Sequence, residues 1–141
     1  IDSEKVKILC DLYLENYNIS KLISNVDEIH TMTSLVGFEG LLQNKKVFTY
    51  GLPFYGGWGL TNDMKKFTRR FRELTLAQLV AGVLILYPLY IDPDTNNYCS
   101  ANILIKKLKA KLNNNTNLIW YLKDKICLCV IRNGKKILEI F

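Results

Sequence analysis

The sequence predicts an α/β protein whose core is a parallel sheet covered by helices. Three observations carry that reading. Residues 26–50 run strand, tight turn, helix, strand, which is the βαβ unit of a parallel sheet. Helical apolar spacing returns beyond it, in residues 75–87 and again in 100–112. Asn133-Gly134 stands between two apolar runs, a strong hairpin signal because both residue types tolerate positive φ.

Residues 3–17 read as a helix, with Val6, Leu9, Tyr13 and Tyr17 at helical spacing. Ser20 opens a short further turn. Residues 26–32 read as a strand, 35–43 as a helix and 46–50 as a second strand. Residues 51–63 form a loop with four glycines, one proline and three aromatics, followed by Arg69, Arg70 and Arg72. Thr75 and Gln78 fit a capping box at the start of the clearest helix, whose stripe is Leu76, Leu79, Val80, Val83 and Tyr87. Pro88 ends it, since the residue before a proline avoids the helical region. Residues 90–98 read as a loop carrying Asp92-Pro93-Asp94. Ser100 caps a helix with Leu104, Leu108 and Leu112 on one face and Lys106, Lys107 and Lys109 outside. Asn113-Asn114-Asn115 reads as a break. Residues 126–131 and 136–141 flank the Asn-Gly turn.

Length and composition bound the function. At 141 residues the chain has the size of one domain. With 49% hydrophobic and 23% charged residues it is not a disordered chain. The longest apolar run, residues 79–87, is interrupted by Gly82 and falls far short of the roughly 20 residues that span a bilayer. The opening Ile1-Asp2-Ser3-Glu4 has no secretory-signal character, and its lack of Met suggests a piece of a longer protein. The net charge of +6 is uneven: −3 over residues 1–64, +2 over 65–101 and +7 over 102–141. Such a basic third attracts anionic lipid, nucleic acid or a phosphorylated substrate, or forms an ordinary solvated lysine face. Cys10, Cys99, Cys127 and Cys129 lack the spacing of a zinc site and read as reduced thiols, so no metal is expected.

Several constellations could carry chemistry. Thr33 and Ser34 stand where a strand ends and a helix begins, so free backbone N–H groups and hydroxyls meet at a positive dipole end suited to phosphate. Gly37 allows close approach of backbone or ligand, and Glu39 is placed to accept from ribose hydroxyls. The competing reading is an ordinary serine cap with Glu39 offsetting the dipole. Phe54, Tyr55, Gly56 and Trp58 lie in the glycine-aromatic loop, where glycine gives backbone access and aromatics a sugar-stacking surface. Arg69 and Arg70 suit a phosphate or carboxylate, or form a solvated face. Asp92 and Asp94 read as a turn pair and His30 as a packed strand residue.

The segments Thr33-Ser34-Leu35-Val36-Gly37-Phe38-Glu39-Gly40-Leu41-Leu42, residues 51–61 with their Pro-Phe-Tyr-Gly-Gly-Trp-Gly-Leu-Thr stretch, Leu74-Thr75-Leu76, and Leu86-Tyr87-Pro88-Leu89-Tyr90-Ile91-Asp92-Pro93 closely resemble bacterial capsule-polysaccharide biosynthesis proteins, the β-Kdo transferases. The resemblance covers residues 20–100; Gly40 and Gly56 replace a usual alanine in each case, small for small. It implies a Rossmann-like three-layer lobe of a GT-B-type glycosyltransferase. The chain then divides as residues 1–112 for the nucleotide-sugar lobe and 113–141 for a basic extension, which the resemblance does not cover and which carries the C-terminal β-hairpin read from Asn133-Gly134. The resemblance further implies a CMP-Kdo donor, a phosphatidylglycerol-linked Kdo acceptor, retaining transfer without metal or other cofactor, and a cytoplasmic position at the inner-membrane surface. The carried-over roles are phosphate contact for Thr33 and Ser34 and ribose contact for Glu39, with Phe54, Tyr55 and Trp58 framing a sugar. An N-terminal lobe of the same protein would complete the module and supply the nucleophile, so no residue here is assigned as catalytic. The alternative is a non-enzymatic basic module docking on anionic membrane or nucleic acid. Nucleic acid is the weaker form, because the lysines lack interleaved aromatics.

Overall fold

A computed structural model describes residues 10–14, 17–114, 127–132 and 135–140; for residues 112–114 and the last two strands it describes the backbone alone. In chain order the elements begin with β1 (Leu12–Leu14), α1 (Ile19–Ser24), β2 (Glu28–Thr31), α2 (Leu35–Leu42), β3 (Lys46–Thr49) and β4 (Asn62–Asp63). They continue with α3 (Leu76–Ala81), a π-helical turn (Gly82–Leu86), β5 (Tyr90–Ile91), β6 (Tyr98–Cys99), α4 (Ala101–Asn114), β7 (Cys127–Arg132) and β8 (Lys135–Ile140). The chain divides into two compact units, Ile1–Leu76 with Lys123–Phe141, and Ala77–Leu122.

The first unit holds a mixed six-stranded sheet in the order β1-β7-β8-β2-β3-β4. Strands β8, β2, β3 and β4 run parallel, and β7 is antiparallel to both β1 and β8. The expected βαβ unit is β2-α2-β3, with Thr31 opposite Thr49 at the strand ends. Its core is Ile29, Val36, Phe38, Leu41 and Val47, all buried, with Leu22 and Ile23 of α1 added. Gly40 is what brings α2 close to the sheet. A Cβ there would collide with the Ile29 side chain and lie 3.3 Å from Val47 Cγ2. Helix α2 stops when Asn44 takes a left-handed φ of 55°, which asparagine tolerates.

The terminal hairpin forms as antiparallel β7 and β8, with Arg132 opposite Lys135, and β8 enters the sheet beside β2. Its turn residues, Asn133 and Gly134, lie outside the described residues. The helix expected over 3–17 is corrected where it can be seen: residues 12–14 are strand. Leu12, Tyr13 and Leu14 pair with Cys129, Leu128 and Cys127, and a long-range ladder overrides local helical spacing. Residues 3–9, 15 and 16 lie outside the described residues. The loop expected over 51–63 also ends differently, because its last two residues form β4.

The second unit departs from expectation three times. The helix expected to run to Tyr87 is α-helical only to Ala81; Tyr87 N–H then reaches back five residues to Gly82 O at 2.9 Å. The expected loop 90–98 is a small β5–β6 hairpin, closed by Asp92 N–H to Asn97 O and Asn96 N–H to Asp92 O. Helix α4 runs into the asparagines expected to break it, through Asn114. Asn115 is outside the described residues. No helix among the described residues is long and apolar enough to cross a membrane.

The Asp92-Pro93-Asp94 turn is tied to α4. Lys107 Nζ donates to both Asp92 oxygens, at 2.7 and 2.6 Å, and lies 3.0 Å from Asp94 Oδ2; Lys111 donates to Asp94 at 2.9 Å. The Lys107 hydrogen bonds, helped by the Asp94 N–H, pull the Asp92 carboxyl from its usual 3.8 to about 2. A depressed carboxyl stabilises the fold above its ordinary pKa, and that stabilisation is lost as pH falls from about 3.8 through about 2. The denaturant midpoint should therefore fall across this window, and Lys107→Met should flatten the dependence. Equal slopes for both proteins would contradict the assignment.

Candidate functional site

The candidate site is built on the ends of β2 and β3. Two loops leave there, residues 32–34 into α2 and residues 50–61 towards β4. Tyr50 N–H to Thr31 O (2.9 Å) and Gly51 N–H to Met32 O (3.1 Å) join them at their roots. Gly51 must be small, since a Cβ would lie 2.7 Å from Met32 O.

Ser34 is the N-cap of α2. Its Oγ accepts from Val36 N–H at 3.4 Å, and its own N–H donates to Thr31 Oγ1 at 3.3 Å. Thr33 is exposed beside it. Glu39 is half-buried and makes no hydrogen bond or ion pair among the described residues. The helix start thus presents the Thr33 and Ser34 hydroxyls at a positive dipole end, which favours an anion, while Val36 N–H is already taken by Ser34 Oγ and Gly37 N–H by Ser34 O at 3.2 Å.

Tyr55 locks the second loop to the first. The residue is fully buried, and its hydroxyl donates to Ser34 O at 2.5 Å. Burial, and then the Asp63 charge, hold the phenol well above its usual pKa of 10, so it stays a donor. Gly37 provides the room, because a Cβ there would be 2.6 Å from Tyr55 Cζ. The close approach at Gly37 is therefore made by a tyrosine ring. Phe54 packs on Phe38 and edge-on against Tyr55, with ring centroids 5.3 and 5.1 Å apart, yet remains 40% exposed.

Asp63 organises the far side of the loop. Its Oδ1 accepts from Thr49 Oγ1 (2.6 Å) and Thr61 Oγ1 (2.7 Å), and its Oδ2 from Gly57 N–H (2.8 Å). Gly57 takes φ +73°, with the Phe67 ring where a side chain would go. Arg70 is partly buried, with its guanidinium over the Trp58 and Phe67 rings, and donates to Pro53 O and Gly56 O. Burial, then Arg69 nearby, lower its pKa. Trp58 Nε1–H in turn donates to Phe54 O at 2.9 Å.

The structure therefore sorts the ten candidates. Tyr55, Gly37, Gly56 and Arg70 are turned inward and shape the two loops. Thr33, Ser34, Glu39, Phe54, Trp58 and Arg69 retain solvent access. Asp63, Thr49 and Phe67 were not picked out from sequence; an acid closing a glycine-rich loop was the available signal for Asp63. His30 packs on Phe48 at 4.5 Å and pairs through Nδ1 with the Tyr50 hydroxyl at 2.8 Å. Among the described residues no three His, Cys, Asp or Glu side chains gather as a metal site.

Comparison with known proteins shows the family and related folds. The family described as capsule polysaccharide biosynthesis protein matches residues 4–90. The capsule polysaccharide modification protein LipA of Neisseria meningitidis serogroup B is 50% identical over 119 residues, 82% of this chain and 17% of that protein. Two solved structures of KpsC from Thermosulfurimonas dismutans are similar in fold. The β-Kdo 2,4-transferase is 44% identical with a TM-score of 0.61, over 65% of this chain and 29% of that one. The β-Kdo 2,7-transferase is 48% identical with a TM-score of 0.59, over 62% and 30%. This chain thus spans about a sixth of the length of its curated relative LipA.

The loop lock makes a stability prediction. Gly37→Ala drives a methyl into the Tyr55 ring and should destabilise by about 1–3 kcal/mol. Tyr55→Phe removes one hydrogen bond and should cost about 0.5–1.5 kcal/mol. Urea unfolding of the purified chain reads both; a neutral Gly37→Ala would show that the two loops are not locked in this way.

Proposed function

The chain belongs to the capsule polysaccharide biosynthesis family, and we propose that it supplies the nucleotide-sugar-binding lobe of a retaining β-Kdo transferase. The observation that carries this reading is the 44% and 48% identity to KpsC transferase structures at TM-scores of 0.61 and 0.59. In this reading the lobe is of GT-B type, the donor is CMP-Kdo and the acceptor is phosphatidylglycerol-linked Kdo. Transfer takes place at the cytoplasmic face of the inner membrane. The remaining lobe of the module contributes the nucleophilic carboxylate.

The geometry supports a division of labour. Thr33, Ser34 and the start of α2 receive the donor phosphate, where dipole and hydroxyls act together. Glu39 has free acceptor capacity for ribose hydroxyls. Phe54 and Trp58 offer exposed aromatic surface to a sugar ring. Tyr55, Gly37, Asp63 and Arg70 hold the two loops in place, so binding does not have to order them. The alternative of a basic docking module gains nothing from the relatives. Two of its lysines, Lys107 and Lys111, are already engaged by Asp92 and Asp94.

CMP titrated into the chain should shift the backbone amides of Ser34 to Glu39 in NMR spectra. Ser34→Gly tests the hydroxyl, because glycine at an N-cap costs the helix only a few tenths of a kcal/mol. It should weaken CMP binding roughly fivefold to tenfold, the worth of one hydrogen bond. Silence of these amides at millimolar CMP would reject the nucleotide role.

A further inference from the structure

Beyond Asp63 the chain carries Lys65, Lys66, Arg69 and Arg70 within six residues. This segment and the Gly57 turn border a concavity of about 450 Å³ whose lining includes Gly57, Asp63, Lys65, Lys66, Phe67 and Arg70. Three features favour an anion there. First, Lys65 and Lys66 are exposed and have no ion-pair partner among the described residues, so no neighbouring acid already neutralises them as Asp92 and Asp94 do Lys107 and Lys111. Secondly, the one acid in the lining, Asp63, already accepts from three fixed donors. A carboxylate offers about four lone-pair sites, so little acceptor capacity remains. Thirdly, the wall is closely packed: Gly57 lies against Phe67, where a Cβ would be 2.5 Å from Cγ, and Asp63 accepts from the Gly57 N–H. With Lys65, Lys66 and Arg70 against the single Asp63 carboxylate, the lining keeps a net positive charge that favours an anion in the hollow.

We infer that this concavity is an oxyanion subsite, in which Lys65 and Lys66 hold the carboxylate or phosphate of a sugar ligand. Lysine ammonium groups act as point charges and accept either anion. Arg70, committed to two backbone carbonyls and two aromatic rings, shapes the wall and leaves the anion to the lysines. Gly57 of the subsite belongs to the loop that also carries Tyr55 and Trp58. If the transferase reading holds, on which this identification rests, the group is the carboxylate of Kdo, an acidic sugar.

The test titrates the 141-residue chain with free Kdo, carboxyl-reduced Kdo, inorganic phosphate and CMP, reading the amides of Gly57, Lys65, Lys66 and Phe67. Kdo should shift these amides and its carboxyl-reduced analogue should not. Lys65→Gln/Lys66→Gln should weaken Kdo binding about fivefold, the worth of two exposed charges, with near-UV circular dichroism unchanged. CMP shifts at Ser34 should be the same in both proteins, which separates this subsite from the nucleotide role. Phosphate binding that depends on the lysines while Kdo is silent would keep the subsite and assign it to a phosphate. The inference is overturned if neither anion shifts these amides, if the double variant binds both as tightly, or if the carboxyl-reduced sugar binds equally well.

Discussion

The carboxylate of Asp63 has to be satisfied in a half-buried position, and the way it is satisfied determines the loop above it. Its three donors come from the end of β3, from Thr61 and from the Gly57 backbone. Each donor is at a different point along the path from β3 to β4, so one side chain closes the loop onto the sheet edge. Removing it would leave two hydroxyls and an N–H to find new partners, which is far costlier than losing one average hydrogen bond. Arg70 completes the closure from outside by taking the carbonyls of Pro53 and Gly56.

From that closure the rest of the site follows. With the loop held at Gly57 and Gly56, Tyr55 is pressed against α2, where only a glycine at position 37 leaves space for its ring. Its hydroxyl then takes the Ser34 carbonyl and couples the Gly-aromatic loop to the helix start. Phe54 and Trp58, neighbours of these buried residues, keep part of their surface in solvent. A rigid inner layer therefore carries a small set of exposed groups, the arrangement a preorganised binding surface requires.

How much of this was legible in the sequence depends on the range of the interactions. The βαβ unit and the terminal hairpin were legible because apolar alternation, helical spacing and Asn-Gly are local signals. Strand β1 was not, because its partner β7 lies more than a hundred residues along the chain and its own residues have helical spacing. Ser34 was legible as a helix start. Asp63 was not, since its partners sit at positions 49, 57 and 61 and meet only in the fold. The arginine pair shows the same limit. Its chemistry suggested anion binding, but the fold commits Arg70 to backbone carbonyls and aromatic faces and leaves Arg69 exposed.

In the proposed reading a nucleotide sugar is held at the ends of β2 and β3, where the two loops are joined. A crystal structure of the chain with CMP tests that claim most directly. The account predicts phosphate density within hydrogen-bond distance of the Ser34 hydroxyl at the start of α2, with Tyr55 and Asp63 unmoved. Ordered CMP seated elsewhere, with the Ser34 cap and the Gly-aromatic loop untouched, would contradict it.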